Sequence, residues 1–403
     1  MSNNFCVIPW IHAATKTNGD ARVCCLMSNH ENGGLTGYNW ATHDTKTIQN
    51  SDIHKRLRLE ILNGEKPVEC NTCWIKEAKG ASSRRKFSNR RFNYTEQDAR
   101  RDTHSDGSVD IQPQYWDIRF GNLCNLKCVM CGPQSSSQWY KDWAKVYDTD
   151  QFTDSGRVIK FDDKELLEKT YNWWKSPDFW NHLEQNLPYV KHLYLVGGEP
   201  TIIEQHYEFL QMLVDRGYAQ DIVLEYDTNI TNVHQRAIDL WKNFKRLLLR
   251  VSIDDFGNQN DYIRYPSKWD IIDTNYLKLQ EAIPNVKLEI SLTWQVLNAF
   301  TFKSLYKFFD PDSISVRILS SPDHFDCAWL PRHTKQQLIE LYLEAKMPMH
   351  LVRYLEDNLD NYDKGLHQDF LKFVNKLDDI RGTDWNEVFV DLSKSINTSI
   401  TKE

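Results

Sequence analysis

The stretch Tyr115-Trp-Asp-Ile-Arg-Phe120-Gly-Asn-Leu-Cys124-Asn-Leu-Lys-Cys128-Val-Met-Cys131 reads as an apolar strand followed at once by a tight loop carrying three thiols. Three thiolates within such a short loop can each ligate one iron of a four-iron cluster, which leaves the fourth iron without a protein ligand. That open iron is a place for a substrate or cofactor. A closed structural zinc calls for a fourth ligand, and an electron-carrying ferredoxin for a fourth cysteine in the neighbourhood. Neither stands close in the sequence.

Outward from this loop, strand-like apolar runs alternate with helical stretches, the rhythm of a parallel sheet covered by helices. The expected strands are Tyr115–Phe120, His192–Val196, Ile222–Tyr226, Leu247–Ile253, Lys287–Thr293 and Ser315–Leu319. Expected helices between and after them include Ser136–Val146, Lys164–Trp174, Ile203–Arg216, Val233–Phe244, Thr274–Ala282 and Phe302–Phe309. Beyond Pro331 the chain turns helical, through Thr334–Ala345, Met349–Asn358, Gln368–Leu377 and Trp385–Ser395. The expected fold class is α/β: a partial (β/α)6 TIM-type barrel, or an open α/β sheet, over residues 101–330. A small cysteine-rich α+β module with a basic linker occupies 1–100, and a helical extension 331–403.

The C-x3-C-x2-C loop resembles the signature of the radical S-adenosylmethionine (SAM) enzymes, and other positions agree with that family. The resemblance implies that Cys124, Cys128 and Cys131 hold a 4Fe-4S cluster and that Met130 packs near the adenine of SAM. Gly197-Gly198-Glu199-Pro200, after Leu193-Tyr194-Leu195-Val196, is similar to the family segment that accepts the methionine amino group. Thr228-Asn229 resembles its turn after the third strand, and Ser252 with Asp254 its ribose-contacting segment. Arg264 stands where relatives place a carboxylate-binding arginine, and Val296-Leu297-Asn298 ends the fifth strand. The implied chemistry is reductive cleavage of SAM to a 5′-deoxyadenosyl radical that abstracts a substrate hydrogen, with the site at the C-terminal strand ends.

Five further cysteines precede the loop: Cys6, Cys24, Cys25, Cys70 and Cys73. Phe5–Ile11 and Ala21–Cys25 read as strands joined by the turn Asn18-Gly19-Asp20, and Asp52–Leu62 as an amphipathic helix ended by Asn63-Gly64. Together these pieces resemble the auxiliary-cluster module called SPASM or twitch, here before the barrel instead of after it. The resemblance implies one auxiliary Fe-S cluster, with either Cys24 or Cys25 among its ligands. A four-cysteine zinc site has the same ligand chemistry and stays open at this point.

Cys327 falls beyond the sixth strand and is the one candidate named for a catalytic role, against the commoner fate of a lone cysteine as a small buried hydrophobe. Asp227, Trp294 and His324 also fall at expected strand ends. The basic stretch from Lys79 to Arg101 reads as a solvated linker, the alternative being a guide for an acidic peptide or RNA.

The 403 residues carry 49 Lys+Arg against 56 Asp+Glu, a formal net charge of −7, so bulk charge lends nucleic acid no support. Hydrophobic residues make up 40%, enough for a sizeable core. No apolar run reaches the length of a membrane span and no export signal is read at the N-terminus, so the expectation is a cytoplasmic protein with reduced thiols. Expected partners are a peptide, protein or small-molecule substrate and a one-electron reductant such as flavodoxin or ferredoxin. In relatives with such a module the substrate is often a peptide or protein side chain, which makes peptide modification the first expectation. Two alternatives keep part of the same core: a radical enzyme acting on a small molecule or tRNA, and a non-enzymatic Fe-S carrier or scaffold.

Overall fold

The structure, a computed structural model, describes residues 4–27, 37–78 and 82–397. Residues 79–81, where the basic stretch begins, lie outside them. The chain forms two compact units: Met1–Leu123 with Asp150–Tyr226 and Asp239–Leu247, and Cys124–Thr149 with Asp227–Ile238 and Leu248–Glu403.

The first unit contains β1 (His12–Thr15), β2 (Ala21–Arg22), β3 (Tyr115–Arg119), β4 (Gln151–Asp154), β5 (Arg157–Lys160), β6 (His192–Val196) and β7 (Val223–Thr228). β1 pairs antiparallel with β2 and parallel with β3; β3, β6 and β7 follow in parallel. The hairpin turn before β2 forms as the sequence requires: Gly19 takes φ +80° and the Asn18 carboxamide oxygen accepts the Asp20 N–H at 3.1 Å. Phe5–Ile11 is not a strand. Ile8–Ile11 is a helical turn with Pro9 in its first positions, where the fixed φ of proline suits a helix start, and the strand begins only at His12.

Register gives the sheet of this unit two unlike faces. Ala13, Trp116, Leu193 and Leu224 align across β1, β3, β6 and β7, and all four are buried in the apolar layer with Ile118 and Leu195. On the other face Ala14, Asp117, Tyr194 and Glu225 align, and His12, Tyr115 and His192 form the row beside them. Alternation of side chains along each strand produces this division.

The basic stretch folds into two helices, Arg84–Arg91 and Glu96–Asp102. The Ser83 hydroxyl accepts the Lys86 N–H at 3.1 Å, and Thr95 with Asp98 forms a capping box. Arg85 is buried and ion-paired with Glu77, and Arg91 reaches Glu225 at 2.7 Å. These arginines belong to the packed protein.

The second unit contains β8 (Arg246–Ser252), β9 (Lys287–Trp294) and β10 (Ile314–Ile318), all parallel, with Val251, Ile290 and Ile314 aligned. The helix Trp269–Ala282 precedes β9, and the C-terminal helices Arg332–Glu344, Met349–Asp357, Lys364–Arg381 and Val390–Asn397 follow β10. Leu351, Leu355, Phe370, Val374 and Leu377 are buried, so the apolar stripes read from the sequence are core. The fold is thus mixed α/β with largely parallel strands, and each of the six strands expected from Tyr115 onward is present within two residues of its expected bounds. Among the described residues no helix is long and apolar enough to cross a membrane.

Candidate functional site

The cysteine loop belongs to the second unit, and its backbone is bound from several sides. Lys127 and Val129 N–H groups donate to the carbonyls of Tyr265 and Ile263 at 2.7 and 2.8 Å. Trp139 Nε1 donates to the Cys128 carbonyl at 3.0 Å, and Ser136 Oγ to that of Leu126 at 2.5 Å. Asn125 donates to Thr231 Oγ1 at 2.7 Å and accepts from Asn229 Nδ2 at 3.0 Å. Thr228-Asn229 therefore anchors the loop through Asn125. The next residue, Ile230, holds φ +45°, a left-handed conformation costly for a β-branched side chain and maintained here by its surroundings.

The long C-terminal helix adds a clamp that the sequence reading missed. Arg381 donates to Asp142 at 3.0 Å and to the Lys127 carbonyl at 2.9 Å, and its guanidinium lies 4.9 Å from the ring centres of both Trp139 and Tyr265. Asp142 also holds Lys127 Nζ at 2.8 Å. An arginine at the last turn of a helix is an ordinary complement to the helix dipole, so nothing in its local sequence marks it.

With its backbone fixed, the loop gathers buried Cys124 and Cys128 with half-buried Cys131, and Met130 packs against them. Leu126 N–H donates to Cys124 Sγ at 3.4 Å. A hydrogen bond from Cys131 lowers the pKa of the Cys128 thiol against the penalty of burial, and Arg264 lowers it further. Cys131, as that donor and with its sulfur desolvated, is raised well above the usual thiol range. Three convergent thiols with an N–H aimed at sulfur fit the ligand chemistry of an iron–sulfur cluster.

Arg264 and Asp254 are brought together: Nε stands 2.9 Å from Oδ2, with both side chains buried. Burial raises Asp254, opposed by Arg264 and by the Thr293 N–H at 2.7 Å. Burial would lower Arg264, and Asp254 beside it reverses the sign, leaving it raised. Asn298 Nδ2 donates to the Asp254 carbonyl at 2.8 Å, and Ser252 is half-buried at the end of β8.

Gly197-Gly198-Glu199-Pro200 lies in the first unit. Gly197 and Gly198 take φ +86° and +48°, and a Cβ on Gly198 would fall 2.0 Å from the Leu123 carbonyl oxygen. Glu199 N–H donates to that oxygen at 2.8 Å. The glycines are there because backbone meets backbone. Glu199 is buried, and its Oε1 accepts the Thr201 hydroxyl at 2.8 Å.

The N-terminal cysteines converge from three segments, of which only Cys70-Asn-Thr-Cys73 is a local pair. Cys6, Cys24, Cys70 and Cys73 line one cavity of about 30 Å³ with Arg84 and Arg85, and Cys25 is not on its wall. The Met27 N–H closes a turn on the Cys24 carbonyl at 3.2 Å, and within it the Cys24 and Cys25 thiols are hydrogen-bonded to each other, which raises Cys24 and lowers Cys25 to about 6. Leu26 N–H donates to Cys24 Sγ at 3.5 Å, the counterpart of Leu126 at Cys124. Burial pushes the Cys6 and Cys70 thiols up to about 12, with neighbouring cysteines adding to it. A bound metal's positive charge would offset that cost of the thiolate form. Among the described residues no three His, Cys, Asp or Glu side chains stand close enough to hold a single metal ion. The four cysteines share this cavity with Glu69 and the two arginines.

Cys327 is buried in a short helical turn, its thiol raised well above the usual range by burial. Trp294 is buried with Nε1 on Tyr342 Oη at 2.7 Å, and His324 packs against Phe325 and Phe373. Asp227 faces Arg250 at 3.3 Å.

No family model and no curated protein matches the chain. Among solved structures it is similar to native anSMEcpe with bound AdoMet (TM-score 0.37, 15% identity, 56% of this chain and 57% of that one). It is likewise similar to Streptococcus suis SuiB bound to S-adenosylmethionine (0.37, 14%, 74% and 61%) and to SuiB bound to precursor peptide SuiA (0.36, 12%, 72% and 62%). The matched region spans less than two thirds of each of these chains.

Proposed function

We propose that this protein is a radical SAM enzyme that modifies a peptide or protein side chain. In this reading Cys124, Cys128 and Cys131 hold a 4Fe-4S cluster, Met130, Gly197–Pro200, Ser252, Asp254 and Arg264 serve the SAM cofactor, and Cys6, Cys24, Cys70 and Cys73 hold an auxiliary cluster. Residues 1–100 are the auxiliary module, 101–330 a partial (β/α)6 barrel and 331–403 its helical extension, in a cytoplasmic protein served by a flavodoxin- or ferredoxin-type reductant.

When bound and reduced, the cluster with SAM supplies a 5′-deoxyadenosyl radical for hydrogen abstraction. The chain's own contribution is position. Tyr265, Ile263, Trp139, Arg381 and Asn229 spend hydrogen bonds on the backbone of the cysteine loop and leave its sulfurs for metal. Asp254 and Arg264, buried as a pair, offer a carboxylate and a guanidinium whose remaining valences suit a zwitterionic nucleotide cofactor. The observation that carries the proposal is the braced three-cysteine loop combined with a glycine pair that permits the close approach at Leu123.

The test is anaerobic reconstitution with iron and sulfide, dithionite and SAM, read by release of 5′-deoxyadenosine. Wild type is expected to release it, and the Cys124→Ala/Cys128→Ala/Cys131→Ala variant none, with iron content falling from about eight to about four per chain. Cluster-loaded wild type that never cleaves SAM would move the protein to the electron carriers or scaffolds. Cleavage stimulated by a small molecule or tRNA, and by no peptide, would replace the substrate class.

A further inference from the structure

The second unit carries a groove of about 550 Å³ that the proposed cofactor chemistry does not use. One wall is the helix Trp269–Ala282, which lines the groove with Trp269, Asp273, Tyr276 and Gln280, residues that a spacing of three or four places along one side. The other wall is Phe308-Phe309-Asp310, and the first residues of β9 complete the lining.

Aromatic rings join the two walls. Tyr276, which is buried, meets Phe309 edge to face at 5.1 Å between ring centres. At the start of the helix Phe256 stacks on Phe308 at 4.2 Å and leans on Trp269 at 4.6 Å. The rim is left apolar and open: Leu277 is 57% exposed and Phe308 60%. From Trp269 to Gln280 the helix rises ~16 Å, the reach of about five extended residues. Large apolar side chains held in water along a concave surface mark a place that a partner covers.

The charge of the groove says which partner. Asp273 on one wall and Asp310 on the other are both exposed, and neither has an ion-pair partner among the described residues. Asp310 accepts the Asp312 N–H at 3.0 Å through one oxygen only. Burial raises the Tyr276 hydroxyl above its usual range and the Asp310 charge adds to the rise, so that charge reaches the helix wall. The one cation among the described lining residues, Lys287, already stands 3.8 Å from Glu289. Carboxylates set among aromatic faces suit a cation on an apolar stem, whose methylenes lie along the rings while its charge meets a ring face or an acid. A phosphate chain is repelled here, and a plain hydrocarbon leaves both acids unmatched.

We propose that the groove between Trp269–Ala282 and Phe308-Phe309-Asp310 docks an extended basic segment of a partner polypeptide, with arginine or lysine taken by Asp273 and Asp310 and an apolar side chain between them taken by Leu277 and Phe308. The inference goes beyond the radical reading and needs neither cluster nor SAM.

The experiment uses reconstituted full-length protein and fluorescein-labelled Gly/Ser decapeptides with a central Arg-Leu-Phe-Leu-Arg, read by anisotropy. The controls replace that centre by Gln-Leu-Phe-Leu-Gln, Arg-Gly-Ser-Gly-Arg or Glu-Leu-Phe-Leu-Glu. The first probe is expected to bind about ten-fold or more tighter than each control. Phe308→Ser, and Asp273→Asn combined with Asp310→Asn, are each expected to weaken it about ten-fold, with 5′-deoxyadenosine release and iron content unchanged. These side chains are exposed, and Asn at 310 keeps an oxygen for the Asp312 N–H. Equal binding of the four probes, preference for the Glu probe, tighter binding of an oligouridylate, or indifference to both variants overturns the site. So does a dimer in sedimentation that Phe308→Ser dissolves, which would give the groove to a second copy of the chain. The probe series on wild type decides the matter even if a variant fails to fold. Equal binding of the probes with 5′-deoxyadenosine still released rejects the groove alone; the expected order of probes without any SAM cleavage rejects the radical reading alone.

Discussion

The two cysteine sets are built on opposite plans. Cys124, Cys128 and Cys131 come from one short loop whose backbone is bound by Tyr265, Ile263, Trp139 and Arg381, so the loop's shape depends on hydrogen bonds and not on metal. Cys6, Cys24 and the pair Cys70 and Cys73 come from three segments far apart in sequence and meet around one cavity. In the proposed reading the local set is a mount for a cofactor. The dispersed set, once metallated, is a cross-link that closes long loops, and its binding energy becomes folding energy.

The sharpest way to break this comparison is at Cys70. Cys70→Ala is expected to lower the stability of the metallated protein by about 5 kcal/mol or more, measured by denaturant unfolding under anaerobic conditions. Cys24→Ala should do the same, while Cys25→Ala, off the cavity wall, should cost only about 1 kcal/mol and keep its iron. Equal effects at 24 and 25 would show that a place on the cavity wall does not distinguish the two thiols.

A smaller effect is expected from the clamp on the local set. Arg381→Ala removes one of the two cations on buried Asp142, leaving Lys127, together with the donor to the Lys127 carbonyl, and should cost about 2 kcal/mol, seen as a lower melting temperature in the cluster-free protein as well. A melting temperature unchanged in the absence of iron would mean that the loop is ordered by its metal after all.

A third test is a pH slope in the unit that carries the local set. Burial raises the Asp255 carboxyl to about 7, against hydrogen bonds from Thr301 and the Phe256 N–H. A folded pKa above the unfolded value means that the native state holds the extra proton. The stability contributed by Asp255 is therefore full below about pH 4 and is lost as pH rises through about 7. Asp255→Asn should flatten that fall in unfolding free energy between pH 4 and 7; an unchanged slope would assign it to other groups.

Much of this was legible in the sequence where the signal was local. Alternating strands and helices from Tyr115 onward, the hairpin turn at Gly19 and the helix stop at Gly64 follow from short-range pattern and backbone chemistry. The cysteine triplet and the glycine pair could be read the same way. The strand expected at Phe5–Ile11 failed because its apolar run hid a proline suited to a helix start. The basic stretch was taken for a linker because charge outweighed its capping signals, Ser83 and the Thr95-x-x-Asp98 box. The short hairpin of β4 and β5 and the helix Pro177–Asn186 went unread. Arg381, Asp117 and the sorting of Cys24 from Cys25 depend on contacts between distant segments, for which a single sequence carries no periodic signal.

The two-faced sheet also bears on how the chain finds its alignment. A slip of β3 by one residue would push Trp116 and Ile118 among arginines and drive Asp117 into the hydrocarbon layer, so misalignment is penalised on both sides at once. Tyr115–Arg119 enters the sheet across a long connection from β1, with no tight turn to set its place. Its own alternating chemistry acts as a key that fits one slot, and proofreads the joint that delivers the chain to Cys124.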